Sequence, residues 1–163
     1  MTPSAALEED GTTLALTRFF TSPIEDVWAS ITESDRLARW FGTWTGDPST
    51  GSVMVTMNAE AEPVPASRYD IRQCEPPRVL AVSAIDDAGA WHLRAELSES
   101  EGITKLVLRH ERIDPEQVAS TGVGWEWYLD RLTAVVVGET PPSLDDFDTR
   151  YLPQVATYTD SLS

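Results

Sequence analysis

The chain has 163 residues, of which 41% are hydrophobic, and is therefore long enough to form one domain with a proper core. Its 27 acidic side chains outnumber 12 basic ones, giving a formal net charge of -15. A field of that sign repels phosphate backbones and anionic lipid surfaces, so it argues against nucleic acid or a membrane as the partner.

Cysteine usage and the lack of an apolar targeting or membrane-spanning segment predict a cytoplasmic protein. The single cysteine, Cys74, excludes an intrachain disulfide framework and is typical of a reducing compartment. Residues 1–11 lack the basic start and apolar run of a secretory signal, and no window approaches about 18 consecutive apolar residues. We expect a flexible acidic lead-in over 1–11, a single domain over 12–139 and an acidic tail over 140–163.

The first predicted elements are a strand and two short helices. Thr13–Phe20 alternates and is rich in threonine, leucine and phenylalanine, which predicts a strand. Ser22 suits the N-cap of a helix that ends near Thr32, and Glu25 is placed to complete a capping box. A second short helix is predicted over Asp35–Trp40.

Six further strands are predicted between residues 43 and 112, because alternating segments are separated there by short turns rich in glycine, proline and aspartate. They are Thr43–Thr45, Ser52–Asn58, Ser67–Cys74, Val79–Ile85, Ala90–Ser98 and Ile103–Glu111. Such short connections favour hairpins and hence an antiparallel meander. One face of each strand is apolar and the other polar, as expected when a helix covers one side of the sheet.

The stretch from Pro115 to Gly138 predicts one long helix, preceded by Asp114 as its N-cap. Its apolar residues recur at spacings of four and three and form one stripe, namely Val118, Gly122, Trp125, Leu129, Leu132 and Val136. Gly122 and Gly124 each cost roughly 1 kcal/mol relative to alanine, which suggests that another group approaches the backbone there. The element order predicts an α+β fold, with a curved antiparallel sheet of six or seven strands around this C-terminal helix.

The tail after Pro142 has two interpretations. Tyr151, Val155, Tyr158 and Leu162 recur at helical spacing, so part of the tail can dock as a short amphipathic helix. We favour a docked or partly disordered tail over a regulatory lid.

Several motifs resemble the SRPBCC superfamily, whose members are START-like or pollen-allergen-like proteins. Ser22–Trp28 after a strand and the Trp40-Phe41-Gly42 corner resemble its opening. Three later segments resemble its subgroup related to the activator of the 90-kDa heat-shock protein ATPase, namely Glu75–Leu80, Thr104–His110 and Gly124–Leu132. The resemblance implies a helix-grip fold with a cavity between sheet and helix that often takes an apolar ligand. Ser83 and Ala84 stand where related sequences often carry an aromatic residue, which implies a larger cavity.

The candidate ligand-binding residues are large side chains expected on the concave face of this fold. They are Trp40, Trp44, Tyr69, Leu80, Val82, Trp91, Leu93, Leu108, His110, Trp125, Tyr128, Leu129 and Leu132. Aromatic rings bury much area, and tyrosine and tryptophan add a polar group that can orient a ligand. The alternative is that these residues pack the core, although six tryptophans exceed what a core of this size needs. Trp127 is interpreted as a surface cation–π partner of Arg131.

Chemistry beyond binding depends on His110. On the apolar face of the last strand it could act as a general acid or base, or it could be a buried histidine satisfied by its neighbours. Two histidines and one cysteine without ligand spacing predict no metal site. No glycine-rich phosphate loop or nucleophile elbow occurs, so no cofactor is predicted.

The sequence therefore predicts a protein that binds a small apolar or aromatic molecule in this cavity without catalysis. One alternative is a cyclase- or hydrolase-like enzyme that uses the same cavity. A second is a co-chaperone-like protein partner, which the family resemblance invites but fold alone does not establish. A homodimer through the outer sheet face or the tail is a further hypothesis.

Overall fold

The computed structural model describes residues 5–86 and 89–162. One antiparallel sheet contains eight strands in the spatial order β1-β2-β8-β7-β6-β5-β4-β3. The strands are β1 (Ala5–Leu7), β2 (Leu14–Phe20), β3 (Gly42–Thr45), β4 (Ser52–Met57), β5 (Ser67–Glu75), β6 (Val79–Asp86), β7 (Gly89–Ser100) and β8 (Ile103–Glu111). The α-helices are α1 (Ile24–Thr32), α2 (Ser34–Leu37), α3 (Val118–Val136), α4 (Leu144–Asp146) and α5 (Val155–Leu162).

The sheet register confirms the faces predicted from alternation. Leu80 of β6 lies opposite Ala95 of β7, which lies opposite Leu108 of β8. These side chains form a row across the sheet on the side that α3 covers, because alternate residues of a strand share one face. The open sheet with a long C-terminal helix is the predicted helix-grip fold.

The prediction of a flexible lead-in is wrong for residues 5–7, which form β1. Ala5 lies opposite Leu16 and Leu7 opposite Leu14, so β1 covers the free edge of β2. This strand raises the total to eight, above the predicted six or seven. Three residues are too few to show a period of two, and therefore the pattern gave no signal. Residues 1–4 lie outside the described residues.

Helix α1 begins without the predicted capping box. Pro23 occupies the N-cap position and makes no side-chain cap bond. Instead, the N–H of Ile24 donates to Oε2 of Glu99 on β7 at 3.0 Å. The carbonyl of Ser22 accepts from the hydroxyl of Thr104 at 2.7 Å. The helix start is therefore satisfied by groups from distant strands, which local sequence does not reveal.

Helix α3 starts at Val118, after a 3₁₀ turn over Pro115–Gln117. The predicted cap Asp114 holds that turn, since its side chain accepts from the N–H of Glu116 at 2.9 Å. Glu126 and Trp127 lie off the apolar stripe, yet only 1% and 2% of their surface is exposed. α3 is therefore covered on a second side as well as by the sheet.

The tail provides that second cover. Four short helical segments follow Pro142, and α5 packs against α3. Tyr151 and Tyr158 are fully buried, and the Tyr151 hydroxyl donates to Oδ2 of Asp130 on α3 at 2.6 Å. The described part of the tail is thus docked, whereas the side chain of Leu162 lies outside the described residues.

The two helical glycines have different surroundings. A Cβ at Gly122 would lie 2.2 Å from Cε1 of Tyr158, so the close approach suggested by the sequence is made by the tail. A Cβ at Gly124 would meet nothing within 4 Å, so the same suggestion is wrong for Gly124.

We expect Gly122→Ala to lower the free energy of unfolding by about 1–3 kcal/mol, the usual cost of overpacking a buried site. Gly124→Ala is the matched control and should raise it by up to about 1 kcal/mol, because alanine favours the helix. Urea unfolding of both variants measures the difference. Equal changes in the free energy of unfolding for the two variants would show that the Tyr158 ring does not pack closely against Gly122.

Candidate functional site

A cavity of about 250 Å³ lies between the sheet and α3. Ten of the thirteen predicted residues line it, namely Trp40, Trp44, Tyr69, Leu80, Val82, Leu93, Leu108, Trp125, Leu129 and Leu132. Strands β3 to β8 and helices α1, α2 and α3 all contribute to its wall. The aromatic surplus noted in the sequence is therefore divided between a cavity wall and a packed core.

The three remaining predicted residues, Trp91, His110 and Tyr128, do not line the cavity. They pack around Trp125, with ring centroids 6.1 Å, 6.4 Å and 5.9 Å from it, respectively. Trp91 and His110 also contact each other at 5.6 Å. They support a cavity wall and do not form part of its surface.

Tyr128 is held by a carboxylate from the loop between β4 and β5. Its hydroxyl donates to Oε1 of Glu60, and its ring packs against Phe41 at a centroid distance of 5.2 Å. Burial and the Glu60 carboxylate together hold the pKa of the Tyr128 hydroxyl far above its ordinary value. Tyr128 therefore stays protonated and fastens this loop to α3.

Arg131 connects the cavity wall to the tail. Its guanidinium donates to the carbonyl of Trp40 at 3.0 Å and to that of Pro142 at 2.7 Å. It also lies 5.0 Å from the ring centroid of Trp127, as the predicted cation–π pair requires. The predicted surface location is wrong, because the tail buries Trp127, whose N–H donates to the carbonyl of Ser143 at 3.0 Å.

The wall of the cavity is almost wholly apolar. The three tryptophans that line it, Trp40, Trp44 and Trp125, all donate their N–H groups to protein acceptors. Trp40 and Trp44 donate to main-chain oxygens of α1, each at 2.8 Å, and Trp125 donates to Nδ1 of His110 at 3.0 Å. These indoles therefore offer a ligand only their carbon surfaces. The prediction that their N–H groups orient a ligand is not supported, because those groups are already bonded to the protein.

His110 is buried, with 5% of its surface exposed. Because its Nδ1 accepts from Trp125, the neutral ring carries its proton on Nε2. Burial, together with the nearby His92, lowers the pKa of His110 to about 4. At neutral pH His110 is an uncharged hydrogen-bond acceptor for Trp125, which agrees with the interpretation of a satisfied core histidine.

The exposure of the wall is uneven. Pro48 and Cys74 are exposed, whereas the lining residues on β7, β8 and α3 are buried. We call the exposed side, between the Pro48 turn and the Cys74 end of β5, the mouth of the cavity. The residues predicted to line the cavity did not include Cys74.

A β-bulge in β5 explains that omission. Ile71 lies opposite Val82, but Gln73 lies opposite Ala81, so Arg72 is an extra residue. Simple alternation from Tyr69 places Ile71 on the cavity face, and Ile71 lines the cavity although it was not among the predicted residues. Alternation alone does not predict Cys74, because the bulge reverses the pattern.

Ser83 and Ala84 do not enlarge the cavity, since neither lines it. Ala84 is buried between Tyr69 of β5 and Trp91 of β7, its partners in the sheet. The Ser83 hydroxyl lies 2.9 Å from Nδ1 of His92. The implied effect of these small residues is therefore wrong.

Residues 5–86 and 89–162 lack two kinds of feature. No group of three or more histidine, cysteine, aspartate or glutamate side chains in these ranges is arranged to hold a metal ion. No helix within them combines the length and the apolar character needed to cross a bilayer.

Comparisons with known proteins agree with this architecture. CalU16 from Micromonospora echinospora is 24% identical, with a TM-score of 0.74 over 96% of this chain and 93% of that chain. The protein encoded by gene BPP1335 of Bordetella parapertussis is 25% identical, with a TM-score of 0.70 over 99% of this chain and 93% of that chain. DynU16, from the dynemicin biosynthetic locus, is 18% identical, with a TM-score of 0.68 over 80% of this chain and 49% of that chain. No curated protein matches the chain.

A family model described as "Activator of Hsp90 ATPase homolog 1-like protein" matches residues 21–137. The match runs from just before α1 to just after α3 and includes every element that lines the cavity. The chain therefore belongs to the family of Activator of Hsp90 ATPase homolog 1-like proteins, within the SRPBCC superfamily.

Proposed function

We propose that this protein binds a small apolar or aromatic molecule in the cavity between the sheet and α3 and releases it unchanged. The observation that carries the proposal is the apolar cavity of about 250 Å³ that remains under α3. An engineered apolar cavity of about 150 Å³ in another protein stays dry and binds benzene. The larger volume here suits a fused two-ring molecule such as naphthalene.

Binding without catalysis is supported by the chemistry of the wall. A general acid or base must come within hydrogen-bond reach of the reacting group. His110, the candidate for that role, is outside the wall and uses Nδ1 to accept from Trp125.

The proposed location of the protein is the cytoplasm. The thiol of Cys74 lies at the exposed mouth, and an exposed free cysteine is typical of a reducing compartment.

The two alternative functions have less support. A cyclase-like enzyme is suggested by the origin of DynU16 in a biosynthetic locus, but at 18% identity the similarity shows only the fold. A co-chaperone role rests on the description of the family. Co-purification with a heat-shock ATPase from the native host tests the second alternative directly.

Filling the cavity should remove binding without unfolding the protein. Ala95 of β7 is buried and lines the cavity, so Ala95→Leu adds carbon atoms to the open space. We expect its affinity for naphthalene to fall at least about tenfold, while the free energy of unfolding stays level or rises by about 0.5–2 kcal/mol, as in cavity-filling substitutions. Quenching of tryptophan fluorescence reports binding, because Trp40, Trp44 and Trp125 line the cavity.

Ala90→Leu is the matched control, since Ala90 is an exposed residue of the same strand. It should leave naphthalene binding unchanged. The proposed function fails if the unmodified protein shows no quenching or thermal stabilisation with naphthalene or related two-ring compounds.

The buried state of His110 predicts a pH dependence of stability. Its pKa of about 4 in the folded protein lies below the ordinary value of 6.5, so the unfolded chain binds the proton first. The contribution to stability is complete above pH 6.5 and is lost as the pH falls towards 4. By pH 4.5 the loss in the free energy of unfolding amounts to roughly 2–3 kcal/mol.

His110→Gln retains an acceptor for Trp125 but does not titrate, so its unfolding free energy should fall less over the same range. Urea unfolding of both proteins at pH 7 and pH 4.5 isolates the difference, because all carboxylates are common to them. Parallel profiles would contradict a neutral, buried His110.

A further inference from the structure

The mouth of the cavity is exposed to solvent, whereas the wall on β7, β8 and α3 is buried. Pro48 contributes an exposed apolar ring from a 3₁₀ turn over Pro48–Thr50, and Cys74 contributes an exposed thiol from β5. Both residues line the cavity. A ligand group at this position keeps contact with solvent while the rest of the molecule is buried.

The bulge at Arg72 positions the thiol. After the bulge, Cys74 lies opposite Leu80, which lines the cavity, while Gln73 and Glu75 lie opposite Ala81 and Val79. Oε1 of Gln73 accepts from Arg94 at 2.9 Å, which places Gln73 on the outer face of the sheet. Cys74 therefore points to the cavity side between two polar residues that point away from it.

The interior cannot serve a polar ligand group well. The indole N–H groups of the wall are donated to protein acceptors, and the wall is otherwise almost wholly apolar. Burying an amide or hydroxyl without a hydrogen-bond partner costs roughly 1–3 kcal/mol in proteins. The same group left at the mouth keeps its water.

We propose that the cavity takes amphiphiles with one polar end, placing the apolar part under α3 and the polar group at the mouth between Pro48 and Cys74. This inference rests on the binding function proposed above and names its ligand class. The net charge of -15 favours a neutral or cationic polar group over an anionic one.

The single cysteine makes the orientation testable in the full chain. N-(1-naphthyl)maleimide combines a two-ring apolar body with a polar head that alkylates thiols. If the body binds under α3 and the head stays at the mouth, Cys74 should react with it at a rate that saturates with reagent concentration. Unreactive naphthalene should suppress the reaction, and N-methylmaleimide should show no saturation.

A cysteine elsewhere corrects for the intrinsic reactivity of the two reagents. Ser98 is exposed on β7 and does not line the cavity, so Cys74→Ser combined with Ser98→Cys provides the control. We expect the ratio of naphthyl to methyl reagent rates to be at least tenfold higher at Cys74 than at the control cysteine. Ala95→Leu, which keeps Cys74, should lose this excess.

The contrary outcomes are distinct. Equal ratios at the two cysteines, in a protein whose tryptophan fluorescence shows naphthalene binding, overturn the assignment of the mouth but leave the proposed function intact. An absence of naphthalene binding overturns the proposed function and the ligand class together.

Discussion

The contact between Trp125 and His110 is the constraint on which the cavity depends. It joins α3 to β8 through a hydrogen bond of 3.0 Å and is enclosed by the rings of Phe41 and Trp91. Large, rigid rings at this point hold the helix at a distance from the sheet that smaller side chains could not maintain. Beyond Trp125, Leu129 and Leu132 line the cavity.

On its other side, α3 is held by charge and by the tail. Nη2 of Arg18 lies 3.2 Å from Oε1 of the buried Glu126 and 3.1 Å from Oδ1 of Asp130, which also accepts from Tyr151. Removing one member of such a buried group is costly, because it leaves the remaining charge unpaired. The helix is thus fixed from the side opposite the cavity, so the cavity does not need to be filled for α3 to stay in place.

The sequence was sufficient to predict the fold and most of the wall, because both follow from periodicity. Alternation placed Leu80, Leu93 and Leu108 on one face, and helical spacing placed Leu129 and Leu132 towards them. Two of the errors involved contacts between segments far apart in the chain. Trp127 was predicted at the surface but is buried by the tail, and the N–H of Ile24 finds its partner on Glu99.

His110 shows a different limit of sequence reasoning. Its face of the sheet was predicted correctly, but that face is shared by the cavity and by the packed cluster around Trp125. Which of the two a side chain joins depends on its position along the strand relative to the helix. Periodicity carries no information about that position.

The extra residue in β5 has a consequence for how this mouth could change. If Arg72 paired regularly with β6 and no bulge formed, the side chains directed inwards at this end would be the amide of Gln73 and the carboxylate of Glu75, and the thiol would face outwards. An apolar entrance would become an acidic one without any substitution in the wall. Ligand preference in this architecture can therefore shift through the pairing register of one strand, with the composition of the interior left as it is.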